Sequence, residues 1–489
     1  MLILVTTSLI LIYYICFSFK PTSVYRTSWY QLSAAVNAQL CHTPHSMDPN
    51  AARWIAVKKV EPTLPVYDLP KLTHFSSLAF YCNRTILDTG ATIKAVKNYE
   101  VGEGLTLFYL DRVLMGVFGN LSLENLVLAY RALQILLIGI FVFYLIAVGV
   151  RWPSASAFAL IAIAITCNPT IITLNANSFI LPCLLCLMGL YGIDLRFGLY
   201  RSGWKHNLWL FIIALLMFFL YYTRSSELPQ MLLLTFGYLY YLWRYSATRY
   251  LNLLRLIVVF FLVSLVCYQI FVDTVGNKDY LRGHPIIHPV VLGIGSPPNG
   301  LSRREKIIFV DKYGLMIAQR VNPKVTTYYT PAYNQALTTY YKNLWQRYPT
   351  EMRTIYLNKF NFVFPNTNRL IQSNLQKQYG WNGTLVKVLF YPFKILGYSS
   401  FFFLVLGLTA FLGWRYLKKP GLVTYLFLMS SAFAVLNFLE SALIASAFYL
   451  TYQSFLVFYF LSVVFLFWEM VICFSGQAAR APRLKPIDQ

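Results

Sequence analysis

Asn207-Leu-Trp-Leu-Phe-Ile-Ile-Ala-Leu-Leu-Met-Phe-Phe-Leu-Tyr-Tyr222, the turn Thr-Arg-Ser-Ser-Glu, and Leu228-Pro-Gln-Met-Leu-Leu-Leu-Thr-Phe-Gly-Tyr-Leu-Tyr-Tyr-Leu-Trp243 read as two apolar spans joined by a short polar connection. Each run comes close to the roughly 20 residues a helix needs to cross the hydrocarbon core, and the turn is too short to carry anything but a hairpin of helices. Lipid supplies no hydrogen-bond partner for the backbone, so such runs must be helical. The rest of the chain repeats this text. It is 57% hydrophobic and 17% aromatic with 12% charged residues, whereas a soluble protein carries about a quarter charged residues. The reading is an all-α polytopic membrane protein.

Outward from the hairpin, spans are expected at roughly 125–150, 154–170 and 176–194 before it, and at 252–272, 398–414, 421–446 and 452–474 after it. Leu2 to Phe19 makes a further run, ending at Lys20-Pro21 with no small-residue cleavage site behind it, and is read as a retained anchor. That gives about ten transmembrane helices. Leu105 to Gly119 is apolar but broken by Asp111-Arg112; it is too short to cross and is expected to lie in the interface or re-enter.

The net charge of +23 could suggest a nucleic-acid partner, but the cations stand in short groups beside apolar runs, as orientation in a membrane requires. With a cytoplasmic N-terminus, the inner connections hold Arg151; Arg196, Arg201 and Lys205; Arg244, Arg249 and Arg255; and Arg415, Lys418 and Lys419, and residues 476–489 form a basic cytoplasmic tail. The short outer turns hold only Arg224. Two long polar regions, about 20–104 and 273–395, then face outward. Apart from Cys41 and Cys82 in the first of these regions, the cysteines fall in or beside apolar spans; an oxidising compartment would let those two pair.

Carboxylates are scarce, so their places matter. The stretch Arg84 to Gly104 gathers Asp88, Glu100 and Glu103, and Asp111 follows; any of these could take a proton from an acceptor hydroxyl, or could merely solvate a loop. Arg131, Arg224, Glu227 and Glu440 fall toward the outer leaflet, where a charge is costly and marks a candidate site. Arginine grips phosphate bidentately, so their shared level points to an anionic headgroup; snorkelling and a local ion pair are the structural alternatives. The second outer region opens on Asp279-Tyr-Leu-Arg-Gly-His-Pro-Ile-Ile-His-Pro, which supplies Arg282, His284 and His288. Pro285 and Pro289 directly after the histidines argue against an ordinary helix and so against a metal pair, leaving hydrogen bonding to a sugar or phosphate, or a plain loop role. Its many tyrosines suit carbohydrate stacking or anchoring at the interface.

The layout of a first span, a long outer loop with acids, an interfacial segment, six more spans and a second long outer region resembles the seven-span module of the GT-C glycosyltransferases over roughly residues 1–395, with 396–475 as further C-terminal helices. Asp88-Thr-Gly-Ala-Thr-Ile-Lys-Ala-Val is similar to the acid-plus-small-residue opening of their first-loop helix, and His284-Pro-x-x-His288 with Gly293-x-Gly295 and Asp311 to their second outer loop. A paired Asp-Asp or Glu-x-Asp signature is absent from the first loop.

The resemblance implies transfer of a hexose or pentose from a polyprenyl-phosphate donor to an extracytoplasmic glycan, lipid or protein. The catalytic acid would be Asp88, with Glu103 and Asp111 as competitors. Arg224, Arg282 and Arg131 would hold phosphate, and His284 and His288 would orient the substrate. The implied setting is a bacterial inner membrane with the active site outside. No metal ligands are assigned and no cofactor beyond the lipid-linked donor, although a divalent metal stays open. A glycan polymerase or ligase shares this topology, and a lipid-linked-sugar flippase or transporter is the third class, expected to show repeats and polar residues at the midplane.

Overall fold

In the computed structural model, the described residues are 106, 109–110, 113–114, 117, 123–149, 155, 179–223, 227–275, 285–309, 311–326, 330–359 and 398–443. Among them the chain is helical, with no strand. The spans expected at residues 2–19, 154–170 and 452–474, and nearly all of the first outer region, lie outside the described residues. Among the described residues, five helices are long and apolar enough to cross a membrane.

Helix α1 (Leu123–Ala147) is followed by α2 (Ile180–Phe197), α3 (Gly203–Thr223), α4 (Leu228–Tyr245) and α5 (Arg249–Val275). The last two described helices are α11 (Tyr398–Lys418) and α12 (Leu422–Leu443). These segments agree with the expected spans to within a few residues, because unbroken apolar runs leave the backbone no other way to satisfy itself in lipid. The ends are set locally. Gly198 at φ 66° takes the left-handed turn that closes α2, its N–H donating to Asp194 O. Pro229 sits in the first turn of α4, where its missing N–H costs nothing.

Helix α2 is the centre of the bundle: 89% of its apolar window is buried, against 11% for α5. Hydropathy does not separate the two, since α5 is the more apolar. Neighbours decide it. Helices α1, α3, α4 and α12 all pack on α2, while α5 leans mainly on α3. Gly189 and Gly192 let α1 come close: a methyl on Gly189 would stand 3.0 Å from the Phe141 Cα, and one on Gly192 would fall inside the Tyr144 ring. Small residues at a contact between membrane helices allow this approach.

Helices α1 and α2 run parallel, and from α2 onward the described helices alternate in direction, so their ends sort to two sides. At one end Arg196 Nε donates to Ala147 O (2.9 Å), Tyr245 to Pro420 O (2.8 Å) and Tyr144 to Leu422 O (3.2 Å). At the other, Tyr130 meets Phe179 edge-on, and Phe179 meets Phe219 in the same way. Thr106 at the start of the interfacial segment lies 3.4 Å from Thr223 through their hydroxyls, and Tyr109 stacks on Phe271. Cations crowd the first end; Arg131, Glu227 and Glu440 belong to the second.

The described part of the second polar region, within residues 285–359, is a folded helical unit. It comprises α6 (Ile287–Gly293), α7 (Gly300–Arg304), α8 (Asp311–Val321), α9 (Pro331–Arg347) and α10 (349–359). It has its own core, centred on Val291, Leu292, Ile317, Tyr333, Leu337, Leu344 and Met352. Asn299 caps α7 by accepting from the Ser302 N–H while Ser302 Oγ accepts from the Asn299 N–H. Helix α6 corrects the reading of Pro289 as a breaker: the proline lies within the first turn of the helix, where no intrahelical donor is lost.

Candidate functional site

The carboxylate end of the bundle is built from three helices. Glu227 is the residue before α4 and is 1% exposed; Gln230, one turn on, is fully buried. From there Gln230 Nε2 donates across to Asn437 Oδ1 (3.4 Å) and Glu440 Oε2 (3.3 Å) on α12. Asn437 and Glu440 are one turn apart and therefore share a face of their helix. Arg131 is 6% exposed on α1 with Gln134 buried one turn below it. Arg224 follows Thr223, the last residue of α3, and so is tied by the chain to this end, although its own position lies outside the described residues. A buried carboxylate and a buried arginine at one level of a membrane bundle, with Glu440 partly buried beside Gln230, are expensive unless they answer one another or a ligand.

This end therefore carries Arg131, Glu227 and Glu440, three of the charged residues expected at the outer leaflet. Asp88, Glu103, Asp111, Arg282 and His284 lie outside the described residues. His288 is placed elsewhere. It is 1% exposed in the core of the α6–α10 unit, its Nδ1 sharing a hydrogen bond with the Tyr333 hydroxyl, and the pair fills the space beside Gly314. In this position His288 holds α6 against α9, a use for which a buried imidazole with one good partner is well suited.

A second polar cluster was missed in the sequence. Asp194, on the last turn of α2, is fully buried; the Tyr238 hydroxyl of α4 donates to its Oδ2, and His206 Nδ1 of α3 stands 3.6 Å from the same oxygen. That separation is beyond hydrogen-bond reach but within reach of an ion pair. Tyr191 packs at a tilt against Tyr238, ring centroids 4.7 Å apart, and shares a 3.0 Å hydrogen bond with Thr235. Asp194 Oδ1 and His206 Nε2 have no hydrogen-bond partner. The signal was there: an acid inside an apolar run is a candidate by default. Arg196, two residues on, disguised it as part of a basic inner connection. The cluster could hold or pass a proton between carboxylate, imidazole and phenol.

Comparison with protein-family models, with curated proteins and with solved structures finds no match for this chain.

Proposed function

We propose that the chain is a GT-C-type membrane glycosyltransferase that moves a hexose or pentose from a polyprenyl-phosphate donor to an extracytoplasmic glycan, lipid or protein. The observation that carries this reading is the charged group at one end of the bundle, with Arg131 on α1 and Glu227 and Gln230 on α4 buried, and Glu440 on α12 partly buried and bonded to Gln230. It stands opposite the cation-rich end, which places it outside if the positive residues are cytoplasmic. A donor anchored in the membrane by its own lipid needs no soluble nucleotide-binding domain.

The chemistry is a single displacement. A carboxylate, for which Asp88 is the choice and Glu103 and Asp111 the alternatives, takes the proton of an acceptor hydroxyl. The oxygen attacks the anomeric carbon as the bond from that carbon to the phosphate oxygen breaks, and configuration inverts. The lipid phosphate departs carrying the negative charge, which Arg131 and Arg224 would stabilise, with Arg282 from the second outer region. Glu227 and Glu440 would hold sugar hydroxyls, since a carboxylate accepts such hydrogen bonds readily.

Purified protein given a polyprenyl-phosphate monosaccharide and an acceptor should release free polyprenyl phosphate and glycosylated acceptor. Asp88→Asn should lower the rate about 100- to 10,000-fold, the usual worth of a positioned base. Near-normal activity of Asp88→Asn together with Glu103→Gln and Asp111→Asn would remove the carboxylate-base mechanism. The Asp194, His206 and Tyr238 cluster favours a second reading, proton-linked movement of a lipid-linked sugar across the bilayer. Donor that crosses a proteoliposome membrane with its sugar intact would establish it in place of the first.

A further inference from the structure

At the basic end, α4, α11 and α12 leave a cleft of about 590 Å³ between them, open to the side of the bundle. Ligand sites fall in the range of about 300–1,000 Å³. Its wall is apolar, and this includes its tyrosines. Tyr416 donates its hydroxyl to Gly237 O (2.8 Å) and Tyr240 donates to Leu417 O (2.7 Å), so both present rings to the cleft while their polar atoms tie the helices together. Gly413 on α11 provides depth: a methyl there would meet only Leu428, at 3.7 Å. A single charge lines the cleft, that of Arg249 at the first residue of α5. Its guanidinium packs against the edge-to-face pair of Trp243 and Tyr250, with ring centroids at 4.8 and 5.2 Å.

We propose that this cleft binds one anionic diacyl phospholipid, an acyl chain lying along Gly413 and the phosphate on Arg249. The argument is one of complementary charge and polarity. A long apolar trough ending in one exposed cation matches an amphiphile with one long tail and one anionic head. Trp243 and Tyr250 set the depth, because aromatic rings of this kind settle at the level of lipid headgroups. A guanidinium packed against two rings is oriented in advance, and its fork fits a phosphate. Arg244, Lys418 and Lys419 at the same end add positive potential, favouring an anionic lipid over a zwitterionic one. The site lies at the opposite end from the charged group described above, so it does not depend on the transferase reading.

Native mass spectrometry of the purified protein, titrated with phosphatidylglycerol or with phosphatidylcholine, tests the assignment. One phosphatidylglycerol should bind in preference to phosphatidylcholine. Arg249→Gln should lower its affinity about tenfold, as loss of one charge-assisted hydrogen bond does, while Arg249→Lys keeps part of it. Gly413→Leu, which fills the trough without touching the charge, should lower the affinity for both lipids. Equal binding of the two lipids by the wild-type protein would overturn the proposal. So would loss in Arg249→Gln with full binding in Gly413→Leu, which would leave surface charge alone as the cause. Displacement of phosphatidylglycerol by an equimolar polyprenyl phosphate would assign the cleft to that lipid instead.

Discussion

Lys359, at the end of α10, is fully buried, and its Nζ lies 5.2 Å from the centre of the Tyr356 ring. Tyr356 in turn stacks on Trp345 and shares a 2.9 Å hydrogen bond with Tyr341. Burial among these rings disfavours the ammonium ion and pulls its pKa from 10.5 down to about 7. The folded protein thus releases a proton that the unfolded chain keeps. Between pH about 7 and 10.5 the unfolded state binds more protons, so stability rises with pH across that window and the full penalty is felt below it. Lys359→Met should raise the thermal midpoint at pH 7 and flatten its rise toward pH 10. Parallel curves for variant and wild type would show that Lys359 does not carry the effect. His288 makes the same point at residue scale: its pairing with Tyr333 depends on a contact 45 residues away in the chain, which no local motif contains.

At the scale of elements, the contact between α1 and α2 is a close one and rests on two glycines a turn apart. Tyr144 cannot move aside for a side chain at Gly192, because its ring is fully buried and its hydroxyl is held by Leu422 O. Gly192→Ala should therefore destabilise the protein by about 1–3 kcal/mol, as overpacking of a tight core does. Gly407→Ala in α11 has open space around it and should be neutral or stabilising by up to about 1 kcal/mol through helix propensity. Unfolding of both variants in detergent measures the difference; equal midpoints would mean that α1 and α2 can separate without loss. The apolar pattern shows that both segments are helices. It does not show that glycine brings them together, because in sequence Gly189 and Gly407 look alike.

For the whole molecule, the two ends of the bundle differ in charge, and the positive residues should face the cytoplasm. Lys324 is exposed on the α6–α10 unit, and Lys419 is exposed between α11 and α12. A cysteine at Lys324 should react with an impermeant thiol reagent on intact cells, and one at Lys419 only after permeabilisation, each against the parent protein as background. Reaction of Lys419→Cys from outside would invert the topology and move the proposed transfer site to the cytoplasmic face.

Length and polarity of the apolar runs fixed the helical class, and the described spans fall within a few residues of their expected bounds, because in lipid only a helix satisfies its own backbone. The carboxylate end was legible in part: Arg131, Glu227 and Glu440 stand out as charges near span ends, and alternation of helix direction puts them on one side. Gln230 and Asn437 were not legible, since a neutral amide gains meaning only when another helix brings a partner to it. Asp194 and His206 lie on different helices, and only the packing of α2, α3 and α4 makes them neighbours. The core of the α6–α10 unit, the cleft at Arg249 and the central place of α2 were likewise decided by tertiary structure. Hydropathy measures what a residue would choose between water and lipid. Which residues face lipid and which face protein depends on neighbours that arrive from far along the chain.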